Sequence, residues 1–107
     1  MTVDVNSIKK MMEKAQEIQK KVQQAQDELE SVEVVGSAGG AGYLVEVTIN
    51  GKGLVKKVII SDSLIDLEEK STLEDLIAAG FNNAKNKLDA IAGEKMAELG
   101  LPSNLVG

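Results

Sequence analysis

Ile8, Met11, Ala15, Ile18, Val22, Ala25, Leu29 and Val32 follow one another at steps of 3, 4, 3, 4, 3, 4 and 3 residues. Only an α-helix keeps residues so spaced on one side; a strand would scatter them over both faces. The spacing predicts a helix over residues 6–32. The Lys, Gln, Glu and Asp between the apolar positions are adequate or strong helix formers. Asn6 or Ser7 is placed to cap its start by accepting backbone N–H bonds. At 1.5 Å per residue this helix is roughly 35–40 Å long. That exceeds the width of a small domain, so part of it should project. A projecting apolar stripe needs a partner, either a second copy or the chain's own last helix. Dimerisation is accordingly assigned to Ile8, Met11, Ala15, Ile18, Val22, Ala25 and Leu29.

The remainder reads as strands and a second helix. Val32–Val35 is a short β-prone run. Tyr43, Val45, Val47 and Ile49 alternate with Glu46, Thr48 and Asn50, the period of a half-buried strand. Asn50-Gly51-Lys52-Gly53 signals a hairpin, because Asn and Gly tolerate positive φ. The returning strand is Leu54–Ile60. Asp62–Asp66 reads as a turn with room for one helical turn. Ser71 and Glu74 fit a capping box opening a helix over 72–99. Leu73, Leu76, Ile77, Phe81, Ala84, Leu88 and Ile91 mark its buried face. Gly100 is placed as its C-terminal cap, and Pro102 prevents continuation. The order is helix, three strands, helix: an α+β chain with one domain over 1–107 and a flexible tail over 101–107. Three strands with one apolar face need a helix over them.

The composition excludes much chemistry. There is no cysteine and no histidine, which removes disulfides, thiolates, imidazole bases and the usual zinc sites. Phe81 and Tyr43 are the only aromatic residues, so the core must be aliphatic. A domain of this size buries only about two-thirds of its unfolded surface, which makes oligomerisation a reasonable way to bury more. No apolar run approaches a membrane span, and the opening MTVDVNSIKK lacks the apolar segment of a signal peptide. The expected location is the cytoplasm.

The cluster Gly36-Ser37-Ala38-Gly39-Gly40-Ala41-Gly42 invites a phosphate-loop reading and fails it. Such loops lead into a helix and carry a following Lys-Ser or Lys-Thr. Here Gly42 leads into a strand. The cluster is read as a structural joint that lets the chain reverse. Glu68-Glu69 and Glu74-Asp75 are surface carboxylates near a helix start, where the dipole favours them. Ser63 has no base beside it other than carboxylates and lysines. No catalytic residue, metal ligand, cofactor or small-molecule substrate is assigned, and the chain is not read as an enzyme.

The lysines carry the functional expectation. Net charge is −5, from 17 acidic and 12 basic residues, and every basic residue is lysine. The mean charge disfavours nucleic acid, so binding needs a local patch. The first helix supplies one: Lys9, Lys10, Lys14, Lys20 and Lys21 precede Asp27, Glu28 and Glu30. Its free N-terminal amides add about half a positive charge to the same end. Lys10, Lys14 and Lys21 share one flank. Lys85 and Lys87 form a second group in the last helix.

Three segments in register resemble the YbaB/EbfC family of bacterial nucleoid-associated proteins. They are Met11-Met12-Glu13-Lys14-Ala15-Gln16, the hairpin Gly39–Gly51 with Val55–Ile60, and Leu73–Ala79 with Phe81-Asn82-Asn83-Ala84. The resemblance implies a tweezer-like homodimer with protruding helices. It also implies duplex DNA binding with little sequence preference, and a role in nucleoid organisation or gene regulation. Family members often carry arginines in the last helix; this chain has Lys85 and Lys87 there. Lysine neutralises phosphate without the bidentate fork of arginine. DNA contact is therefore expected first at Lys9, Lys10, Lys14, Lys20 and Lys21, then at Lys85 and Lys87. The alternative is a dimeric protein-interaction adaptor that holds a recombination or replication protein and binds DNA weakly or not at all.

Overall fold

The computed structural model describes residues 4–100. The chain runs α1 (Val5–Glu30), β1 (Glu33–Gly40), β2 (Tyr43–Asn50), β3 (Val55–Ile60), two 3-10 turns (Asp62–Leu64 and Leu67–Glu69) and α2 (Lys70–Glu98). This is the α-β-β-β-α order read from the sequence. The tail expected over 101–107, with Pro102, lies outside the described residues.

The strands form an antiparallel meander in the order β1-β2-β3. β2 is central. Its alternation puts Val45, Val47 and Ile49 on one face, where all three are buried. The register sets Val34 opposite Ile49 and Gly36 opposite Val47 on that face. α2 lies across β1 and β2 and closes the core with Ala84 and Leu88, joined by Leu64 from the first 3-10 turn. Ile77, expected on the buried face of α2, is 37% exposed.

The glycine cluster is mostly strand, not joint. Gly36–Gly40 continue β1, and only Ala41 and Gly42 make the turn. Their φ values, 51° and 88°, are both positive, as in the two-residue type I′ turns that suit the twist of a hairpin. Gly36 is required by the helix above it. A Cβ there would overlap the backbone nitrogen of Ala84 and the carbonyl of Gly80. Gly80 and Ala84 are one helical turn apart and both buried, so helix and sheet meet backbone to backbone.

The second hairpin departs from expectation in its details. Positive φ falls on Gly53, at 81°, and not on Asn50 or Gly51. Asn50 instead uses its side chain: Oδ1 accepts from the N–H of Lys52 at 2.9 Å and of Leu54 at 3.1 Å. Gly51 serves a close approach, since a Cβ there would overlap the Leu29 carbonyl at the root of α1. β2 and β3 shift register beside Thr48 and Ile49.

Both helices start earlier than predicted. The carboxylate of Asp4 accepts the N–H of Ser7 at 2.7 Å, so Asp4 caps α1 in place of Asn6 or Ser7. That bond holds the Asp4 carboxyl below its ordinary value. In front of α2, Asp66 accepts from the N–H of Glu68 at 3.0 Å. The 3-10 turn thus capped runs straight into the helix, so Ser71 and Glu74 lie inside it and no capping box forms. Gly100 ends α2 as expected, with φ 69° and its N–H on the Ala97 carbonyl at 3.0 Å.

Gly93 sits inside α2 with open space where a Cβ would stand. Gly93→Ala is expected to stabilise the fold by about 0.5–1 kcal/mol, because alanine forfeits less backbone entropy in a helix. The measurement is a rise in urea midpoint at unchanged m-value.

Candidate nucleic-acid interface

α1 is fastened only at its root. Ala25 and Leu29 are buried, as is Met96 near the end of α2. Glu28 is ion-paired with Lys95, and Glu30 lies 2.9 Å from Lys52. The Lys95 hydrogen bond holds the Glu28 carboxyl below its usual range, and the same bond raises Lys95. A lowered carboxyl pKa stabilises the fold above its unfolded value, so this tie is lost as pH falls through the folded pKa. Beyond the root, residues 4–20 are all exposed. The molecule measures 73 × 25 × 18 Å as a result.

The seven residues assigned to dimerisation therefore divide. The chain's own last helix takes the root: Ala25 and Leu29 are in the protomer's packing and Val22 is half-buried. Ile8, Met11 and Ile18 remain 46%, 67% and 41% exposed, with Ala15 exposed between them.

The lysines divide as well. Among the described residues, no carboxylate lies within ion-pairing distance of Lys9, Lys10, Lys14 or Lys20. Lys21 reaches Glu17 at 3.6 Å, an exposed pair of the kind that contributes about 0.3–0.5 kcal/mol at most. Lys85 and Lys87 are both engaged. Lys85 is 2.8 Å from Asp89, and Lys87 donates to the Val35 carbonyl on β1 at 2.9 Å.

The two groups are not brought together. Lys87 lies on α2 beside β1 and Lys85 on α2 beside Gln26, Leu29 and Glu30 at the root of α1, whereas Lys9 to Lys14 stand roughly 17–24 Å beyond Ala25 along α1 at 1.5 Å per residue. On the helix, Lys10, Lys14 and Lys21 fall within about 40° of one another, and Lys9 and Lys20 lie on the next flank. The apolar stripe occupies the other side. Residues 5–24 hold five lysines and two glutamates, a net +3; with the whole chain at −5, the remainder carries −8. Screening over about 8 Å at physiological salt lets the outer helix act apart from that acidic body.

Lys95 and Gly80 escaped the sequence reading. Lys95 pairs with a residue on the other helix, which no local spacing reveals; the Gly80–Ala84 step beside Gly36 was the available sign of close helix–sheet contact. No group of three acidic, histidine or cysteine side chains is placed to hold a metal among the described residues. Nor is any described helix long and apolar enough to cross a membrane.

A small α+β body holding a lysine-bearing helix out into solvent has the form of a nucleic-acid-binding protein. Residues 5–102 match the YbaB/EbfC DNA-binding family, and the chain belongs to that family, which is defined by binding and not by catalysis. It is 44% identical over 100 residues to a nucleoid-associated protein of Bartonella bacilliformis, covering 92% of this chain and 91% of that one. A nucleoid-associated protein of Rhodospirillum rubrum is 42% identical over 95 residues, 89% of this chain and 87% of its own. One from Rickettsia typhi is 49% identical over 78 residues, 73% of this chain and 71% of its own.

Proposed function

We propose that the chain is a homodimeric nucleoid-associated protein of the bacterial cytoplasm. It binds duplex DNA with little sequence preference through the lysines of its projecting α1 helices, and so organises the nucleoid or regulates genes. One observation carries this reading: Lys9, Lys10, Lys14 and Lys20 stand on the exposed stretch of α1 with no described carboxylate to neutralise them. Four lysines of the body, Lys52, Lys85, Lys87 and Lys95, are tied to acids or a carbonyl. Those on the rod are left for an external anion, and the repeated anion that matches a row of them is a phosphate backbone. Without arginine the rigid, planar guanidinium fork that reads guanine is absent, which supports sequence-tolerant contact.

The test is a binding titration on a mixed-sequence duplex at two salt concentrations. With about six phosphates contacted, affinity falls roughly a thousandfold between 50 and 200 mM salt, and a scrambled duplex binds within a few-fold. The exposed Ile8, Met11 and Ile18 favour a second reading, the adaptor that holds a recombination or replication protein. A flat salt response, with a protein partner retained on α1, would select the adaptor and reject the DNA reading.

A further inference from the structure

We propose that residues 5–18 of α1 lie on the surface of bilayers that contain anionic phospholipids. A helix turns by about 100° per residue. Ile18, Met11, Ala15, Ile8, Met12 and Val5 therefore share one arc of about 140°, and between residues 5 and 18 that arc holds no polar side chain. All of these side chains are exposed, with Val5, Met11 and Met12 at 76%, 67% and 59%. Val5 and Met12 widen the face past the narrow a/d seam of a coiled coil.

The charges are arranged around this arc. Lys14, Lys21 and Lys10 border one edge, about 40–80° from Ile18. Lys9 and Lys20 border the other, about 40–60° from Val5. Glu13 and Glu17 stand within about 30° of the opposite pole. Lysines along the edges of an apolar face lay their stems beside it and raise their ammonium groups to the headgroups, where anionic lipids attract them. The two glutamates then face away from the lipid. Asp4, at the outer end of the rod, is engaged by the N–H of Ser7.

Width and charge together select this occupant. Duplex DNA engages the lysines and leaves the apolar arc in water. A second rod would cover the seam, but each rod carries five lysines against two glutamates over residues 5–24, and two such rods side by side repel. An anionic bilayer satisfies the arc and both of its charged edges. The segment lies roughly 10–30 Å beyond Ala25 at 1.5 Å per residue, more than a screening length of about 8 Å from the acidic body. No described helix is long and apolar enough to cross a membrane, so the rod lies in the plane of the surface.

The experiment is co-sedimentation of the full chain with vesicles of phosphatidylcholine, alone or mixed equally with phosphatidylglycerol. Each lysine near an anionic surface contributes about fivefold, so a net charge of +3 on the rod predicts about a hundredfold tighter binding to the mixed vesicles. Ile8→Gln, Met11→Gln and Ile18→Gln together are expected to weaken that binding at least about thirtyfold, with the helical signal retained in circular dichroism. A chain that ignores the mixed vesicles, or binds both kinds equally, overturns the proposal. So does a glutamine variant that binds as well as the unaltered chain. A glutamine variant of lower mass in sedimentation equilibrium assigns the stripe to a second copy and overturns it too, as does a synthetic acidic amphipathic peptide that binds where vesicles do not. A second arm does not depend on the folding of that variant. The chain has no tryptophan, so Met12→Trp and Glu17→Trp are made singly. Mixed vesicles are expected to shift the emission of Met12→Trp to shorter wavelength and to leave Glu17→Trp unmoved. A shift in both or in neither overturns the proposal.

Discussion

Replacing Lys10, Lys14 and Lys21 together by glutamate is expected to lower affinity for duplex DNA roughly a thousandfold at 50 mM salt. The three share one flank of α1, so they track one run of phosphates or none. Each phosphate contact contributes about 0.9 to the slope of log affinity against log salt. Three lost contacts remove about 2.7 from it, and extrapolated from 1 M to 50 mM salt that is about three orders of magnitude. The helix should survive. Its stability comes from the root, where Ala25 and Leu29 are buried, and the substitutions lie at or beyond the half-exposed Lys21. Charge reversal beside Glu13 and Glu17 costs about 0.2–0.5 kcal/mol for each like-charge pair. Mass and helical signal therefore stay at the unaltered values while the gel shift disappears. Lys85→Glu with Lys87→Glu is the comparison. Both lysines already have partners, and their loss is expected to cost less than tenfold. Unchanged binding by the triple variant would reject the α1 assignment.

The parts of this molecule that the sequence discloses are those written in local spacing. The stripe from Ile8 to Leu29 announces α1 because a 3.6-residue period needs no knowledge of neighbours. The alternation from Tyr43 to Asn50 announces β2 for the same reason. What the sequence conceals is which surface meets which. Gly36–Gly40 read as a joint because glycine has poor strand propensity; they are strand because α2 approaches too closely for any side chain at Gly36. β3 reads as a strand under a helix, but α2 packs mainly on β1 and β2, and of β3 only Ile60 joins the core. Asp4, Asn6 and Ser7 are all competent caps, and the choice among them is made by where the backbone turns. The lysines behave likewise. Their positions along α1 are legible, and the Lys85–Asp89 pair lies at the i,i+4 spacing a reader can find. The tie of Lys95 to Glu28 joins the two helices, and only the fold reveals that it withdraws Lys95 from the surface charge.

Gly36→Ala is expected to destabilise the fold by about 3–4 kcal/mol, near the upper end for a single methyl group. Overpacking in cores is usually relieved by a neighbouring side chain that changes rotamer. Here the atoms in the way are the Ala84 nitrogen and Cα and the Gly80 carbonyl, all backbone. Relief requires α2 to lift from the sheet. Lifting it parts Ala84 and Leu88 from Val45, Val47 and Ile49, the contacts that make the core. Two controls isolate this cause. Gly40 lies in the same strand with open space at its Cβ position, so Gly40→Ala should fall within about 0.5 kcal/mol of the unaltered chain. Adding Ala84→Gly to Gly36→Ala removes a side chain but none of the overlapping backbone atoms, so it should restore nothing. Urea midpoints measure all three. Rescue by Ala84→Gly would mean that side-chain volume, and not backbone contact, holds α2 to β1.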